Sequence, residues 1–148
     1  MRRRGALAIV AAALFATSCG GGGGGRLSKE DYANEADAIC AKYNRKIQAL
    51  GPPKSLRDIV GFADKALELT RQGNDELKGL KPPKSEEQTA KKWVAQNDLV
   101  ANAVADLRDA AKKNDRVEIR AALRRGQAAN RTANGLARDL GLRVCPRG

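Results

Sequence analysis

Apolar residues recur along most of this chain at intervals of three and four. Tyr32, Ala36, Ile39, Tyr43, Ile47 and Leu50 form one series, and Trp93, Val100, Val104, Leu107 and Ala111 form another. A third runs through Ile119, Ala122, Ala129, Ala133, Leu136 and Leu140. At about 3.6 residues per turn, such spacing gathers the apolar side chains on one face of an α-helix. A weaker fourth series, Leu56, Ile59, Val60, Ala63, Leu67, Leu77 and Leu80, is interrupted by Gly61 and Gly73. An interior glycine costs about 1 kcal/mol relative to alanine, so this helix, second in chain order, is expected to be the least regular.

Starts and stops bracket the four segments. Ser28-Lys29-Glu30-Asp31, Ser55-Leu56-Arg57-Asp58 and Ser85-Glu86-Glu87-Gln88 each put a serine three residues ahead of an acceptor side chain, the pattern of a capping box. Asp115-Arg116-Val117-Glu118 offers the same logic a fourth time. Gly51-Pro52-Pro53, Lys81-Pro82-Pro83, Asn114 and Gly141 mark the four ends. The two proline connectors share the frame Leu-x-Pro-Pro-Lys-Ser thirty residues apart, as expected of a stiff turn feeding a capped helix. Four helices of roughly 20–28 residues with short connections fold most simply as an all-α, up-down-up-down four-helix bundle. Alanine-rich seams predict close packing.

Composition agrees. Aromatic residues make up only 3 % of the chain, and no stretch alternates the β-branched residues a strand needs. Histidine is absent, which removes the commonest metal ligand and the usual general base near neutral pH. The formal charge is +11; Arg2, Arg3 and Arg4 carry three of it and leave +8 on the remainder. Such a balance favours anionic neighbours.

The N-terminus is an address. Arg2–Arg4, the apolar run from Ala6 to Phe15, and the small residues Ala16-Thr17-Ser18 make up the three parts of a secretory signal over residues 1–18. The apolar run is too short to span a membrane, which takes about 20 residues. Ala16-Thr17-Ser18-Cys19 resembles the lipobox of bacterial lipoproteins, in which the cysteine is acylated and becomes the new N-terminus. It departs from that motif in carrying Ala16 where leucine is preferred. Gly20–Gly25 then supply a flexible tether whose random-coil reach is roughly 13 Å. The expected organisation is a signal peptide over 1–18, a lipidated Cys19 with its tether over 19–27, and the bundle over 28–148. The expected location is the extracytoplasmic face of a cell membrane.

With Cys19 committed to lipid, Cys40 and Cys145 remain, and two thiols in an exported chain usually pair. The alternative is a pair of buried free thiols. Closing a loop of this length contributes up to about 4.7 kcal/mol in the chain-entropy model. Taken together, Tyr32…Ala38-Ile39-Cys40, the Pro-Pro connector ahead of the tryptophan-bearing helix, and Leu140-Gly141-Leu142…Cys145 resemble small lipoproteins common in GC-rich actinobacterial genomes. That resemblance implies an envelope location and a disulfide-closed helical bundle, and no established activity.

Candidate chemistry is sparse. Histidine-dependent triads cannot be built, zinc-ligand spacing is missing, and no set of acid, base and nucleophile can be assembled, so neither an enzyme nor a cofactor or metal is expected. Arg116, Arg120, Arg124, Arg131 and Arg138 fall on one stripe of the fourth helix, with Arg125 nearby. They are candidates for contact with acidic lipid heads, an anionic envelope polymer or an acidic protein, against the plainer reading of a solvated face. Nucleic acid suits the charge but not the compartment, and no aromatics interleave for stacking. Trp93 is expected to be a core anchor. Two functions follow: a non-enzymatic structural or interaction module of the envelope, or a small-ligand carrier with a pocket between helices. A filled core with an exposed arginine stripe favours the first. A cavity of several hundred cubic ångströms near Gly61 or Gly73 favours the second.

Overall fold

The computed structural model describes residues 25–147. The signal segment 1–18, Cys19 and the glycines through position 24 lie outside the described residues, as does Gly148. Four helices follow in order: α1, Lys29–Gln48; α2, Leu56–Gly79; α3, Glu87–Lys112; and α4, Arg116–Asp139. They run alternately up and down, and among the described residues there is no strand. None of the described helices is long and apolar enough to cross a membrane.

Three of the four expected caps form. The Ser28 hydroxyl oxygen accepts the Asp31 amide at 3.1 Å, Ser55 accepts that of Asp58 at 3.2 Å, and the Asp115 carboxylate accepts Val117 and Glu118 at 3.0 and 2.9 Å. Each satisfies backbone donors that a helix start leaves orphaned. Ser85 does not cap. Pro83, with φ −58°, begins a 3-10 turn over Lys84–Glu86 in which the Glu86 amide donates to the Pro83 carbonyl, so Ser85 falls inside the first turn. Glu86 and Glu87 turn instead to the incoming chain. Lys29 pairs with Glu86 at 3.0 Å and Arg26 with Glu87 at 2.8 Å, while the Leu27 amide donates to the Lys81 carbonyl at 2.8 Å. Arg26 and Leu27, which the sequence places in the tether, therefore contact the bundle.

The helix ends stop where the sequence marks them. After α3, Asn114 takes φ +53° and after α4, Gly141 takes φ +85°. In both places the next residue's amide reaches back to the helix: Asp115 to Ala110, and Leu142 to Ala137, each at 2.9 Å. The second return buries Leu142 and starts the C-terminal tail across the bundle.

The expectation for α2 is corrected. It runs unbroken from Leu56 to Gly79, because its two glycines answer different needs. Gly61 is exposed with open space where a side chain would be, whereas a Cβ on Gly73 would stand 3.0 Å from Cδ2 of Tyr43. Gly73 is thus the socket that lets α1 lie on α2.

Two cores close the ends of the bundle. One unites Tyr32, Leu77, Trp93, Ala133, Ala137, Leu140 and Leu142, where α1 starts and α4 finishes. Trp93 and Tyr32 are each 1 % exposed; full burial of such rings removes roughly 4–6 kcal/mol worth of apolar surface apiece from water, before entropy is charged against it. The other core joins Ala110, Ala111 and Ile119 to Leu56, Ile59 and Val60, where α2 and α4 begin and α3 ends. From the second half of α1, Ile39 and Cys40 pack against the first core.

Candidate functional site

Between the two cores the bundle is open. Helices α3 and α4 pack most closely, with Gly126 set against Ala103, and α2 lies along α3. Helix α1 sits on α2 but hardly meets α4, and the tail beyond Gly141 fills part of the gap, touching both. The close packing expected of alanine-rich seams therefore holds between α3 and α4. Alanines close the α3–α4 seam, and the space falls on the other side of α4.

The tail acts as spacer and clasp. Asp37 of α1 accepts the backbone amides of Arg143, Val144 and Cys145 at 2.7, 2.9 and 3.0 Å, and Cys145 is joined to Cys40 across a Cα separation of 5.2 Å. The pairing of Cys40 with Cys145 thus stands, and it closes a loop across 105 positions. The short 3-10 turn Cys145–Arg147 follows.

Beyond this clasp lies a cleft of about 390 Å³, open to solvent and walled by all four helices and by both disulfide cysteines. Its apolar surface comes from Ile39, Ile47, Leu77, Val100, Val104, Leu107 and Leu123, with Trp93 and Tyr43 at its inner wall and Gly73 and Gly126 where backbones draw near. Trp93 is therefore the expected core anchor and also a wall of the cleft. Gly73, and not Gly61, is the glycine that borders the space.

Five primary amides stand around it: Asn44 from α1, Asn97 from α3, and Gln127, Asn130 and Asn134 from α4. Asn74, also on the wall, donates to Asp98 at 3.1 Å, but among the described residues these five make no hydrogen bond to another protein group. No buried side-chain nitrogen or oxygen among the described residues lacks a partner, so the amide atoms face the cleft's water. Among the described residues on the walls there is no Asp, Glu, Lys or Arg, in a chain that is 30 % charged. An apolar concavity with a few convergent, uncharged hydrogen-bonding groups is the usual composition of a small-molecule site.

The amides were not singled out in the sequence, although α4 carries a signal. Leu123, Gln127, Asn130 and Asn134 step by four, three and four, which makes one helical strip. Asparagine is a poor helix interior residue, disfavoured by roughly 0.5–0.7 kcal/mol against alanine. Two such residues on one strip of an otherwise alanine-rich helix reduce stability without contributing to the core.

The arginine stripe is where the sequence put it. Arg116, Arg120, Arg124, Arg131 and Arg138 are all exposed, and among the described residues none has an ion-pair partner. Arg125 stands apart, bridging Asp106 and Glu118. The chemistry behind α1 is structural. Glu76 of α2 accepts Lys42 at 2.6 Å and the Tyr43 hydroxyl at 2.7 Å; these bonds, Lys42 foremost, hold its carboxyl below the ordinary range. Tyr43 is pushed up in turn, chiefly by donating to Glu76.

A larger concavity of about 590 Å³ beneath Arg26 is bridged by the Arg26–Glu87 ion pair and lies where the chain enters the bundle. No group of three or more metal-ligating side chains gathers among the described residues. No family model matches the chain, and comparisons with curated proteins and with solved structures find no significant match.

Proposed function

We propose that this chain is a membrane-tethered, extracytoplasmic binding module that carries a small, largely apolar molecule in the cleft between α1 and α4. The observation that carries the reading is the cleft itself: about 390 Å³, walled by apolar side chains, with five amides unengaged by the protein and no charged residue on its described walls. That volume falls in the range of roughly 300–1,000 Å³ typical of ligand sites. It favours the carrier over a purely structural envelope module, for which a filled core would serve. The tether and its place outside the cytoplasm rest on residues 1–25: the signal segment, the lipobox-like Ala16–Cys19 and the glycine run. Catalysis plays no part in this reading: among the described residues, no acid, base and nucleophile set lines the cleft.

Trp93 is the only tryptophan, so its emission reports the cleft directly. The test titrates the folded domain with monodecanoylglycerol, an uncharged amphiphile, below its micelle concentration, following Trp93 fluorescence and heat. Saturable one-to-one binding is expected, weakened at least tenfold in Asn130→Phe/Asn134→Phe, whose far-UV circular dichroism should stay helical. No saturable binding, or equal binding by the filled variant, would sink the proposal. The anchor is tested separately by intact mass of membrane-extracted protein: an N-terminus at Cys19 with acyl mass supports it, and a retained segment 1–18 overturns it.

A further inference from the structure

The arginine stripe and the cleft are neighbours on one helix. Going round α4 at about 100° per residue, the α3 seam (Arg125, Ala129) is followed by the core face (Ala122, Ala133), then by the cleft strip (Leu123, Gln127, Asn130, Asn134). Arg120, Arg124 and Arg131 come next, within about 40° of one another and about 70° beyond the middle of the cleft strip. Each lies three or four residues from a cleft side chain, Arg120 from Leu123, Arg124 from Gln127, and Arg131 from both Gln127 and Asn134. That is the separation of adjacent residues on a helix surface. The three therefore form the outer lip of the cleft on the α4 side.

Electrostatics gives the lip a definite preference. Three other arginines are answered by carboxylates: Arg26 by Glu87, Arg108 by Asp64 and Asp109, Arg125 by Asp106 and Glu118. The lip has no such partner among the described residues. Three like charges along about three turns of one helix repel one another, an arrangement that an incoming anion relieves. Guanidinium groups also engage phosphate or carboxylate oxygens in pairs. Inside the lip charge disappears altogether. A ligand matched to both parts has an uncharged apolar body and an anionic head.

We infer that the cleft's ligand is an anionic amphiphile, its apolar body held among Ile47, Val104 and Leu123 and its phosphate or carboxylate head at Arg120, Arg124 and Arg131. This rests on the cleft being a ligand site, as proposed above. It adds the class of molecule and divides recognition between amides for the linker region and arginines for the head.

The test compares monodecanoylglycerol with its 3-phosphate, two probes that differ only in the head, by Trp93 emission at low salt. The phosphate should bind the wild-type domain at least tenfold more tightly. In Arg120→Gln/Arg124→Gln/Arg131→Gln this preference should fall to about one while binding of the neutral probe stays as it was. In Arg57→Gln/Lys65→Gln/Lys92→Gln, which removes the same charge elsewhere, the preference should survive. Equal binding of the two probes by wild type would overturn the lip assignment and leave the cleft reading standing; failure of both probes would remove both. Inorganic phosphate at millimolar concentration should not displace the bound probe. Displacement by it, or binding to phosphatidylglycerol vesicles with no change in Trp93, would mean that the arginines serve an anion or a bilayer surface independently of the cleft, and would overturn the inference.

Discussion

The Cys40–Cys145 bond makes a quantitative prediction about how this small bundle is stabilised. It joins the middle of α1 to the tail after α4 and closes a loop across 105 positions, so nearly the whole folded unit lies inside the ring. In the unfolded chain a closure of that size removes conformational entropy worth about 4.7 kcal/mol at 25 °C. In the folded chain the bond has less to do. Asp37 already accepts three tail amides, Leu142 is 3 % exposed, and the Cys145 sulfur sits 3.5 Å from the Ala36 carbonyl. Cys40→Ala/Cys145→Ala should therefore keep the helical fold while losing at least about 2 kcal/mol and at most about 4.7. For a domain of this size that lowers Tm by roughly 10–20 °C. Urea unfolding followed by circular dichroism at 222 nm gives the difference, and it should also raise the m-value, because the unfolded chain freed of its ring exposes more surface. Asp37→Ala should then be more damaging in the cysteine-free protein than in the oxidised one, since there Asp37 alone keeps the tail on α1. A loss below about 1 kcal/mol with unchanged m would refute this account. So would additive effects of the Asp37 and cysteine substitutions.

The two glycines of α2 should respond in opposite directions: Gly61→Ala, with nothing within 4 Å, should stabilise by up to about 1 kcal/mol, and Gly73→Ala, 3.0 Å from Tyr43, should destabilise by about 1–3 kcal/mol in the same urea assay. A neutral Gly73→Ala would mean that α1 is not seated on α2 as described. Among the serines, Ser28→Ala and Ser55→Ala should each cost about 0.5–2 kcal/mol, whereas Ser85→Ala, which caps nothing, should stay within about 0.5. Two titrations bound the pH range. The lowered carboxyl of Glu76 contributes stability that is present above the ordinary carboxylate range and lost as pH falls through its folded value, so Glu76→Gln should flatten the acid limb of Tm against pH. Burial pushes Tyr32 up from 10.0 to about 12, so the stability it contributes is complete below pH 10 and lost as pH rises toward 12. Absorbance at 295 nm should show one tyrosine ionising only with alkaline unfolding, and normal titration of both tyrosines would contradict the buried position.

What was legible in the sequence is what local physics decides. Periodic apolar residues, three of the four caps and all four stops depend on neighbours within a turn or two, and each was found in place. Ser85 misled because the proline two residues before it, through its fixed φ, begins the turn early. Gly73 misled because propensity counts only its backbone freedom, while the fold uses its missing side chain as a seat for Tyr43. The cleft lay beyond local reasoning. Whether α1 closes on α4 depends on a tail more than one hundred positions away along the chain, wedged between them and tied to Asp37 and Cys40. Gly73, one of the two glycines where a pocket was expected, and the asparagine strip of α4 pointed to it.

The same long-range clasp explains how a chain poor in large apolar residues can hold an open space. A bundle whose α3–α4 seam is built from alanine and glycine gains its closeness from backbone approach, and collapse of α1 onto that seam would be the natural end state for an apolar interior. Three features oppose that collapse. The tail stands between α1 and α4 at one end. The Tyr43 ring, set in the Gly73 notch and bonded through its hydroxyl to Glu76, ties α1 to α2. The amides of Asn44, Asn97, Gln127, Asn130 and Asn134 would lose water without gaining a partner if the cleft shut, at roughly 1–3 kcal/mol for each polar group left unsatisfied. That cost opposes what burying the aliphatic side chains of the walls would return, about 1.5–3 kcal/mol for each one fully removed from water and less for those already half buried. The amides that oppose closure are also those that would recognise a ligand: a molecule that satisfies them while covering the aliphatic wall supplies both terms at once, which collapse of the protein on itself cannot do.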